Sequence, residues 1–383
     1  MAFVFWLSIF FIWHTFLGYP ISLWLIDKIK QKKCENFQNE SFEPSITIII
    51  PAHNEEKVIA KKLNNILTLD YPKEKLQLIV ASDNSTDNTE EIVKKYMSKI
   101  STLNLYIVQE RKGKTNAQNE AFRLAKGEII IFSDANSIIK KNAIKELVKP
   151  FTNLNVGYVS GKLEYINGEE FESSNLENKY WNYDLMLRKY ESKLDSITAG
   201  NGAIYAIRKS DYVFIEPILC HDSIMPIKMA LNDKKSKYVD SAVAFEKAGE
   251  SVKDEFKRKV RMSRKILTVT FSDLEKLNIF RYGLFSYFYF SHRVLRNTLF
   301  IIHALFFFSN IFLLKKGWVY DLSFILHILF ISIYLLQNKY KWNFKLFSFI
   351  HYYCMTIISQ SIGFYNEITG KSKPFWQKAE STR

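Results

Sequence analysis

Long apolar stretches lie at both ends of the chain, and they constrain its fold more than any other feature. Residues 2–26 carry no charged side chain, and about 20 apolar residues are enough to cross the hydrocarbon core of a bilayer. Further apolar runs cover 297–314 and 322–336, and a third run at 347–364 is interrupted by Ser, His and Gln. Because the first stretch lacks the basic start and cleavage site of a signal peptide, we expect a retained N-terminal transmembrane helix at 1–26 and two or three C-terminal membrane segments within 297–364.

Basic residues next to the first apolar stretch predict the orientation of the chain. Lys28, Lys30, Lys32 and Lys33 follow it directly, within a basic linker at 27–43. Because positive charge favours the cytoplasmic side, we expect the following region to lie in the cytoplasm of a multi-pass protein of the cell membrane.

A second basic segment precedes the C-terminal membrane segments. Residues 280–296 are rich in aromatic residues and include Arg293 and Arg296, which favours an amphipathic helix lying in the membrane interface. A basic tail follows the apolar region at 365–383. Two crossings would return the chain to the cytoplasm near Lys339, whereas a third would carry the tail outside. The sequence therefore leaves the number of crossings and the side of the C-terminus open.

The chain is basic, with a net charge of +14, which favours anionic partners. Many lysines lie beside the apolar segments and form no nucleic-acid motif, so the expected anions are lipid phosphates and not nucleic acid. The three cysteines, Cys34, Cys220 and Cys354, lie far apart without metal-ligand spacing. We therefore expect no disulfide framework.

Between the membrane segments, short apolar runs, of which the first is β-branched, alternate with stretches of helical spacing. The expected strands are 45–50, 76–81, 103–108 and 128–132. The expected helices between them are 55–67, 87–99 and 113–124. Continuous apolar strands separated by helices predict an α/β fold with a mostly parallel sheet covered on both faces, in a domain at 44–275.

Three polar loops follow the expected strands directly. In such sheets ligands bind beyond the carboxyl ends of the strands, which selects the loops 51–56, 82–87 and 133–137. All three are rich in carboxylates or amides. Asp134 and Asn136 would face the same side of an extended segment, where both could bind a magnesium or manganese ion through oxygen. A turn and helix cap is the alternative explanation for these two residues.

Five motifs, taken in order, resemble those of family-2 glycosyltransferases. They are the strand and loop from Ile46 to Glu56, the loop from Ser82 to Thr89, Asp134-Ala135-Asn136, Ala199-Gly200-Asn201-Gly202-Ala203 and Cys220-His221-Asp222. The resemblance covers roughly residues 44–270, and the flanking apolar segments are typical of membrane polysaccharide synthases. The ordered set is specific, although a single motif would not be.

The resemblance implies a GT-A fold and an inverting, single-displacement transfer of a hexose or N-acetylhexosamine. The implied donor is a nucleotide-diphosphate sugar, with UDP as the expected nucleotide, and the implied cofactor is magnesium or manganese. The implied acceptor is a lipid-linked or growing polysaccharide. The implied nucleotide-sugar-binding residues are Ala52, Asn54, Glu56, Asp83, Lys114, Arg258 and Arg261. The implied metal ligands are Asp134 and Asn136, and the implied acceptor-side residues are Gly200, Asn201 and Gly202. The implied catalytic residue is Asp222, acting as the general base.

Structural explanations remain open for several of these residues. Asp222 could cap the helix expected at 224–231, and Lys114 could be a solvated charge. Arg258 and Arg261 could form a basic helix face near anionic lipid instead of bracing a diphosphate.

Two positions depart from the family pattern. Asn136 stands where the family usually has a second Asp, and Met262 stands where a Trp usually completes the arginine motif. These departures support a second hypothesis, in which the chain is a non-catalytic membrane partner of a glycan synthase. A dehydrogenase or kinase would need a glycine-rich phosphate loop, whereas the first loop, 51–56, contains no glycine.

Overall fold

The chain forms two compact units. The computed structural model describes residues 1–31, 42–167, 172–249, 251–340, 342 and 344–374, so parts of the predicted linker and tail lie outside the described residues. The first unit contains Met1–Leu25, Ser251–Leu274 and Tyr287–Ser372. The second unit contains Ile26–Glu250, Glu275–Ser286 and Lys373–Arg383.

One mixed sheet forms the centre of the second unit. Over the described residues its strands are β1 (Ile46–Ala52), β2 (Leu76–Ser82), β3 (Leu103–Ile107), β4 (Ile129–Phe132), β5 (Ile138–Ile139), β6 (Val156–Tyr165), β7 (Tyr205–Arg208) and β8 (Lys235–Glu246). Their order across the sheet is β3-β2-β1-β4-β7-β6-β8-β5. The strands β1 to β4 are mutually parallel, as the alternating pattern predicts, and β8 is parallel to β6. The remaining pairings, β4 with β7, β7 with β6 and β5 with β8, are antiparallel. The predicted α/β class is confirmed.

The helices of the described residues are named in chain order. They are α1 (Ala2–Trp13), α2 (Tyr19–Lys30), α3 (Ile59–Leu67), α4 (Thr89–Met97), α5 (Lys114–Phe122), α6 (Ala143–Val148), α7 (Glu172–Leu194), α8 (His221–Leu231), α9 (Val252–Met262), α10 (Ile266–Phe271), α11 (Ile279–Tyr282), α12 (Leu284–Phe288), α13 (Leu295–Asn297), α14 (Leu299–Ile311), α15 (Trp318–Tyr340) and α16 (Lys345–Ile368). Turns of π-helix at His14–Gly18 and Tyr289–Val294 join α1 to α2 and α12 to α13.

Burial of β-branched residues explains the central strands. Every residue of β1 and of β4 is buried, and β1 continues past the predicted end at residue 50 through Pro51 to Ala52. Its partner residues on β2 run from Leu76 to Ser82 in register. Because β1, β2 and β4 are adjacent and parallel, their carboxyl ends lie at one edge of the sheet, where ligand sites of such folds form.

The first unit holds most of the apolar helices. Two helical stretches of the described chain are long and apolar enough to cross a membrane, Ala2–Lys30 and Trp318–Tyr340. Leu284–Asn297 and Leu299–Ile311 pass the same test only as a pair, and they are bent by 63° at their junction. The crossing expected at 297–314 therefore contains a helix of 13 residues, which is shorter than the ~20 that one span needs.

Two predicted boundaries differ from the observed units. The domain expected at 44–275 loses residues 251–274, with α9 and α10, to the first unit. The amphipathic helix expected at 280–296 is interrupted at Gly283, and Arg296 is buried, with Nη1 donating to His292 Nε2 at 2.9 Å. A π-helical turn adds a residue to the helix and rotates the side chains that follow, which period-3.6 reasoning does not anticipate.

Candidate active site

The loops after β1 and β2 are held together at the sheet edge. The backbone N–H of Asp83 donates to the carbonyl of Ala52 (2.8 Å), and Nδ1 of His53 donates to the carbonyl of Asp83 (2.9 Å). Ala52 is the last residue of β1 and is buried. The two predicted loops therefore converge, as their positions after adjacent parallel strands require.

The side chains of Asn54 and Glu56 connect the loop after β1 to the loop after β2 by hydrogen bonds. Asn54 accepts from the Thr86 N–H (2.7 Å), and Glu56 Oε2 accepts from the backbone N–H (3.1 Å) and the side-chain amide (3.0 Å) of Asn88. Asn54 has φ of 54°, a left-handed conformation that Asn tolerates better than most residues. Both predicted nucleotide-binding residues thus have a structural task, and contact with a nucleotide remains a prediction.

Asp83 anchors the segment that leads into α5. Its two carboxylate oxygens accept from the backbone N–H groups of Lys112 (3.0 Å) and Gly113 (2.9 Å), and the residue is only 4% exposed. Gly113 has φ of 97°, and a Cβ there would lie 2.6 Å from the carbonyl oxygen of Pro374, so this position needs glycine. Asp83 therefore positions Lys114, the next residue, and its predicted contact with base or ribose remains untested.

Lys114 and Asp134 form the ion pair at the centre of the site. Nζ of Lys114, at the start of α5, contacts Oδ1 of Asp134, in the loop after β4. Gly202 lies against this pair: a Cβ at Gly202 would be 2.7 Å from the Lys114 nitrogen and 2.9 Å from Asp134 Oδ2. The predicted acceptor-side glycine and the predicted metal ligand are therefore neighbours.

Asp134 and Asn136 do not lie on an extended segment. The N–H of Ser137 donates to the carbonyl of Asp134 (3.1 Å), which closes a turn over residues 134–137. The premise that the two residues face the same side of an extended segment was wrong, because the strand ends at Phe132 and a turn follows. Asn136 is half-buried on this turn, and its part in metal binding remains a prediction.

Asp222 lies in the first turn of α8 and faces Lys114 and Asp134, with which it forms a charged cluster. Its backbone carbonyl accepts from the N–H of Gly200 (3.0 Å). Burial raises the pKa of the Asp222 carboxyl, and this effect prevails over the opposing charge of Lys114, while Asp134 raises the pKa further. A half-buried carboxyl with a raised pKa has the character of a general base that works near neutral pH.

The predicted acceptor-side residues Gly200 and Asn201 have structural partners. A Cβ at Gly200 would overlap the hydroxyl of Tyr158, so only glycine fits. The Asn201 amide donates to Ser160 Oγ (3.1 Å) and to the Gly161 carbonyl (2.7 Å), and its oxygen accepts from two backbone N–H groups. Asn201 is buried and shapes the loop, and the acceptor-side role of Gly200, Asn201 and Gly202 remains a prediction.

Opposite charges dominate the electrostatics of the cluster. Burial alone would lower the pKa of Lys114, but the carboxylates of Asp134 and Asp222 outweigh it, so the net shift is upward. The ammonium therefore stays charged at neutral pH and can pair with a phosphate.

Lys62 is a residue of the site that sequence analysis missed. It is fully buried on α3, and its Nζ donates to Ser133 Oγ (2.6 Å) and to the Ser137 carbonyl (2.7 Å), so it clamps both ends of the Asp134 turn. Burial lowers its pKa to about 7 despite the attraction of Asp134 and Glu246. The signal was available: Lys62 lies on the apolar face defined by Ile59, Leu63 and Ile66.

Arg258 and Arg261 belong to the first unit, on α9. Arg258 makes a two-pronged ion pair with Glu255 of the same helix, through Nε at 2.7 Å and Nη2 at 3.0 Å. Their predicted role at the leaving diphosphate remains a prediction.

The donor set suits a hard divalent cation that brings other ligands with it. Asp134 and Asn136 offer oxygen atoms, which magnesium and manganese prefer. Within the described residues, no three His, Cys, Asp or Glu side chains are close enough to hold a metal by themselves. Such a set fits an ion bound through one or two side chains together with substrate phosphates.

Comparison with known proteins relates the chain to enzymes that transfer sugars. Residues 47–213 match the family model described as glycosyl transferase family 2. YdaM of Bacillus subtilis strain 168, named as a probable glycosyltransferase, is 28% identical over 328 residues, which cover 78% of this chain and 76% of YdaM. The poly-β-1,6-N-acetyl-D-glucosamine synthase of Staphylococcus epidermidis is 24% identical over 274 residues, covering 66% of this chain and 65% of the synthase.

A solved structure shares the fold over nearly the whole chain. The mannosyltransferase PcManGT from Pyrobaculum calidifontis, in complex with GDP-Man and Mn²⁺, has a TM-score of 0.73 and 19% sequence identity. The similarity covers 96% of this chain and 99% of that chain. At this identity the likeness concerns the fold alone, and it confirms the predicted GT-A architecture.

Proposed function

We propose that the chain, whose residues 47–213 match glycosyl transferase family 2, transfers a hexose or N-acetylhexosamine, with inversion, from a UDP-sugar to a lipid-linked or growing polysaccharide acceptor. The observation that carries this proposal is the convergence of Lys114, Asp134 and Asp222 at the carboxyl edge of the sheet. A cation, a metal-binding carboxylate and a carboxyl of raised pKa are what displacement of a diphosphate by a hydroxyl needs.

Asp222 acts as the general base in this mechanism. Its carboxylate accepts the proton of the acceptor hydroxyl while the hydroxyl oxygen forms a bond to the anomeric carbon. The bond from that carbon to the diphosphate breaks at the same time, and the electron pair leaves with the diphosphate. Attack from the face opposite the leaving group inverts the anomeric configuration.

Lys114 stabilises the negative charge that develops on the leaving diphosphate. Its ammonium is charged and already paired with Asp134, so it requires little reorganisation when the phosphates arrive. A magnesium or manganese ion held by Asp134 and Asn136 would neutralise further phosphate charge when bound. Lys62 fixes the Asp134 turn from below.

The choice of UDP rests on the family resemblance. The S. epidermidis relative is named for a polymer of N-acetylglucosamine, whereas PcManGT was solved with GDP-Man. UDP and GDP, each with and without manganese, should therefore be compared by thermal shift on the purified chain. A ligand at 100 times its Kd stabilises the folded state by ~2.7 kcal/mol, so UDP should raise the melting temperature and GDP should not.

The site lies on the cytoplasmic side of the membrane in this proposal. Lys28 and Lys30 form the basic end of the first apolar helix, and Lys32 and Lys33 follow. Pro374, beyond the last helix, lies against Gly113 within the second unit, which supports an even number of crossings between these two residues. Fusion of a fluorescent reporter that matures only in the cytoplasm to the C-terminus should give signal, and a dark fusion would overturn this topology.

Transfer assays on membranes test the residue roles. Membranes that contain the wild-type chain should incorporate labelled sugar from a UDP-sugar, and the product of an α-linked donor should be β-linked by NMR. Asp222→Asn and Asp134→Ala should each lower the rate by ~100- to 10,000-fold. The matched control is Glu74→Gln, which changes an exposed carboxylate in the Lys73–Lys75 turn and should leave the rate unchanged.

The outcomes separate this proposal from the non-catalytic alternative. Full activity in both active-site variants would refute the assigned roles. A wild-type chain that transfers no sugar from any donor, yet co-purifies with another transferase, would support the partner function suggested by Asn136 and Met262.

A further inference from the structure

A buried chain of hydrogen bonds links α5 to the first residue of α8. At one end, Gln118 Nε2 donates to the Tyr205 hydroxyl (2.9 Å), which lies 2.8 Å from Nδ1 of His221. At the other end, Nε2 of His221 lies 3.1 Å from the Tyr212 hydroxyl, which donates to Asn119 Oδ1 (2.8 Å). Both ends of this chain are therefore neighbouring residues of α5, and its centre is the residue before Asp222.

The direction of each hydrogen bond follows from its ends. The Tyr212 hydroxyl donates its single proton to Asn119 Oδ1, so it must accept a hydrogen bond from His221 Nε2–H. Nδ1 of a neutral imidazole is then an acceptor, and it receives the proton of Tyr205, whose oxygen accepts from Gln118. His221 is therefore held in the Nε2–H tautomer with both ring nitrogens satisfied.

His221 is not a base or an acid in the reaction. It is 2% exposed, and burial, together with the nearby charge of Lys114, lowers its pKa to about 3. A neutral ring engaged at both nitrogens neither takes up nor releases a proton near neutral pH.

The two linked helices carry the two charged groups of the proposed reaction. Lys114 is the first residue of α5, and Asp222 is the second residue of α8. A further bond, from Thr115 Oγ1 to the Leu219 carbonyl (2.7 Å), joins the same two regions. The separation between the ammonium and the carboxylate is thus set by buried contacts between α5 and the start of α8.

We propose that His221 is a positioning residue, which through Tyr205 and Tyr212 holds Asp222 at a fixed distance from Lys114. This inference rests on the proposed function, because it assigns Asp222 and Lys114 their roles in sugar transfer. Both ring nitrogens of His221 and both tyrosine hydroxyls have partners in this network. Buried hydrogen-bond networks act rigidly, so the loss of one link should displace the reactive groups without unfolding the site.

Removal of single hydroxyls is the sharpest perturbation. Tyr212 stacks on Phe122 with ring centroids 3.6 Å apart and an interplanar angle of 9°, so Tyr212→Phe should keep its ring in place. Tyr205→Phe breaks the other link. The matched control is Tyr71→Phe, which removes a buried tyrosine hydroxyl that donates to the Pro44 carbonyl at 2.5 Å, outside this network.

The expected result is a loss of turnover with a changed pH profile. Tyr212→Phe and Tyr205→Phe should lower kcat by ~10- to 100-fold, as misplacement of a reacting group does, with little change in the donor KM. The charged groups that face Asp222 are Lys114, Asp134 and Arg188. A larger distance between Lys114 and Asp222 weakens the attraction between the ammonium and the carboxylate, which raises the pKa of Asp222. The acid limb of the kcat/KM profile should therefore move to higher pH. Tyr71→Phe should keep the wild-type kcat and profile, and equal losses in all three variants would overturn the proposal.

A measurement without turnover separates this inference from the proposed function. In the ¹⁵N-histidine-labelled full chain, the imidazole signal that His221→Phe removes should be that of a neutral Nε2–H tautomer at pH 5. A His221 signal that is protonated at pH 5, or that reports the Nδ1–H tautomer, would overturn the positioning network even in an active enzyme. An inactive wild-type chain with the expected tautomer would instead refute the proposed function alone.

Discussion

Replacing Lys62 with methionine tests whether a charge is buried beneath the Asp134 turn. The side chain of Lys62 is fully buried and donates to Ser133 Oγ and to the Ser137 carbonyl. Methionine has a similar length and fills the same space, but it has no titratable group. The pH dependence of the folding free energy is therefore the quantity that the substitution changes most directly.

The magnitude follows from the pKa of Lys62, which burial lowers from 10.5 to about 7 in the folded protein. Since the unfolded chain holds this proton more tightly, the stability contributed by Lys62 increases as pH rises from about 7 to 10.5 and is lost as pH falls back. Each pH unit between the two pKa values is worth at most ~1.4 kcal/mol. At pH 7 the folded lysine is half protonated, so a change to pH 9 should stabilise the wild type by ~2 kcal/mol.

Thermal unfolding of the full chain in detergent at the two pH values provides the assay. For a domain of this size ~2 kcal/mol corresponds to ~4–8 °C in melting temperature. Between pH 7 and pH 9, the wild type should gain that much relative to Lys62→Met, so that effects of other titrating groups cancel. Lys61→Met is the matched control, since Lys61 is the exposed neighbour on the same helix, and it should follow the wild type.

Parallel curves for the wild type and Lys62→Met would refute the reasoning, because they would mean that Lys62 has the same pKa in both states. The absolute stability of Lys62→Met is a separate matter. The substitution removes a buried charge, but it also leaves the Ser137 carbonyl without its donor, and these effects oppose each other.

Three further predictions concern the centre of the site. Asp222→Asn should unfold at the same or a higher temperature than the wild type at pH 7. The raised pKa of Asp222 means that the folded state binds its proton more tightly than the unfolded state, so the ionised carboxylate destabilises the folded wild type. Lowering the pH should therefore narrow the difference in melting temperature between the two proteins. Gly202→Ala should weaken donor binding in a titration with nucleotide while changing the melting temperature little, since its methyl group would press on the mobile ends of Lys114 and Asp134. Gly200→Ala should instead lower stability by ~1–3 kcal/mol in denaturant unfolding, because its methyl group would overlap a buried tyrosine hydroxyl.

Local patterns were sufficient to predict where the site lies in the fold. The runs that became β1, β2 and β4 are short and mostly apolar, and a polar loop follows each of them. Parallel strands joined by helices bring such loops to one edge whatever the details of packing. For that reason Asp83 and Asp134 could be placed at the same edge without knowledge of a single side-chain contact.

The partners of these residues could not be predicted, because they lie far away in sequence. Asp83 binds backbone N–H groups 29 and 30 residues later, and Asn54 binds Thr86, 32 residues later. A carboxylate at a strand end can either bind a ligand or accept hydrogen bonds from backbone amides. Which of these occurs depends on where the helix that follows the strand places the next part of the chain. Periodicity contains no information about that placement.

Two buried residues, Lys62 and His221, lie next to the reactive carboxylates Asp134 and Asp222. Lys62 and His221 each make two hydrogen bonds, and burial shifts the pKa of each toward the neutral form. Each lies next to a residue that is charged in the proposed reaction. A second full charge beneath Asp134 or beside Asp222 would change the affinity of the site for phosphate and for protons. A polar residue on an apolar helix face therefore indicates a buried group that supports a nearby charge. At Lys62 the spacing of Ile59, Leu63 and Ile66 alone gives this indication.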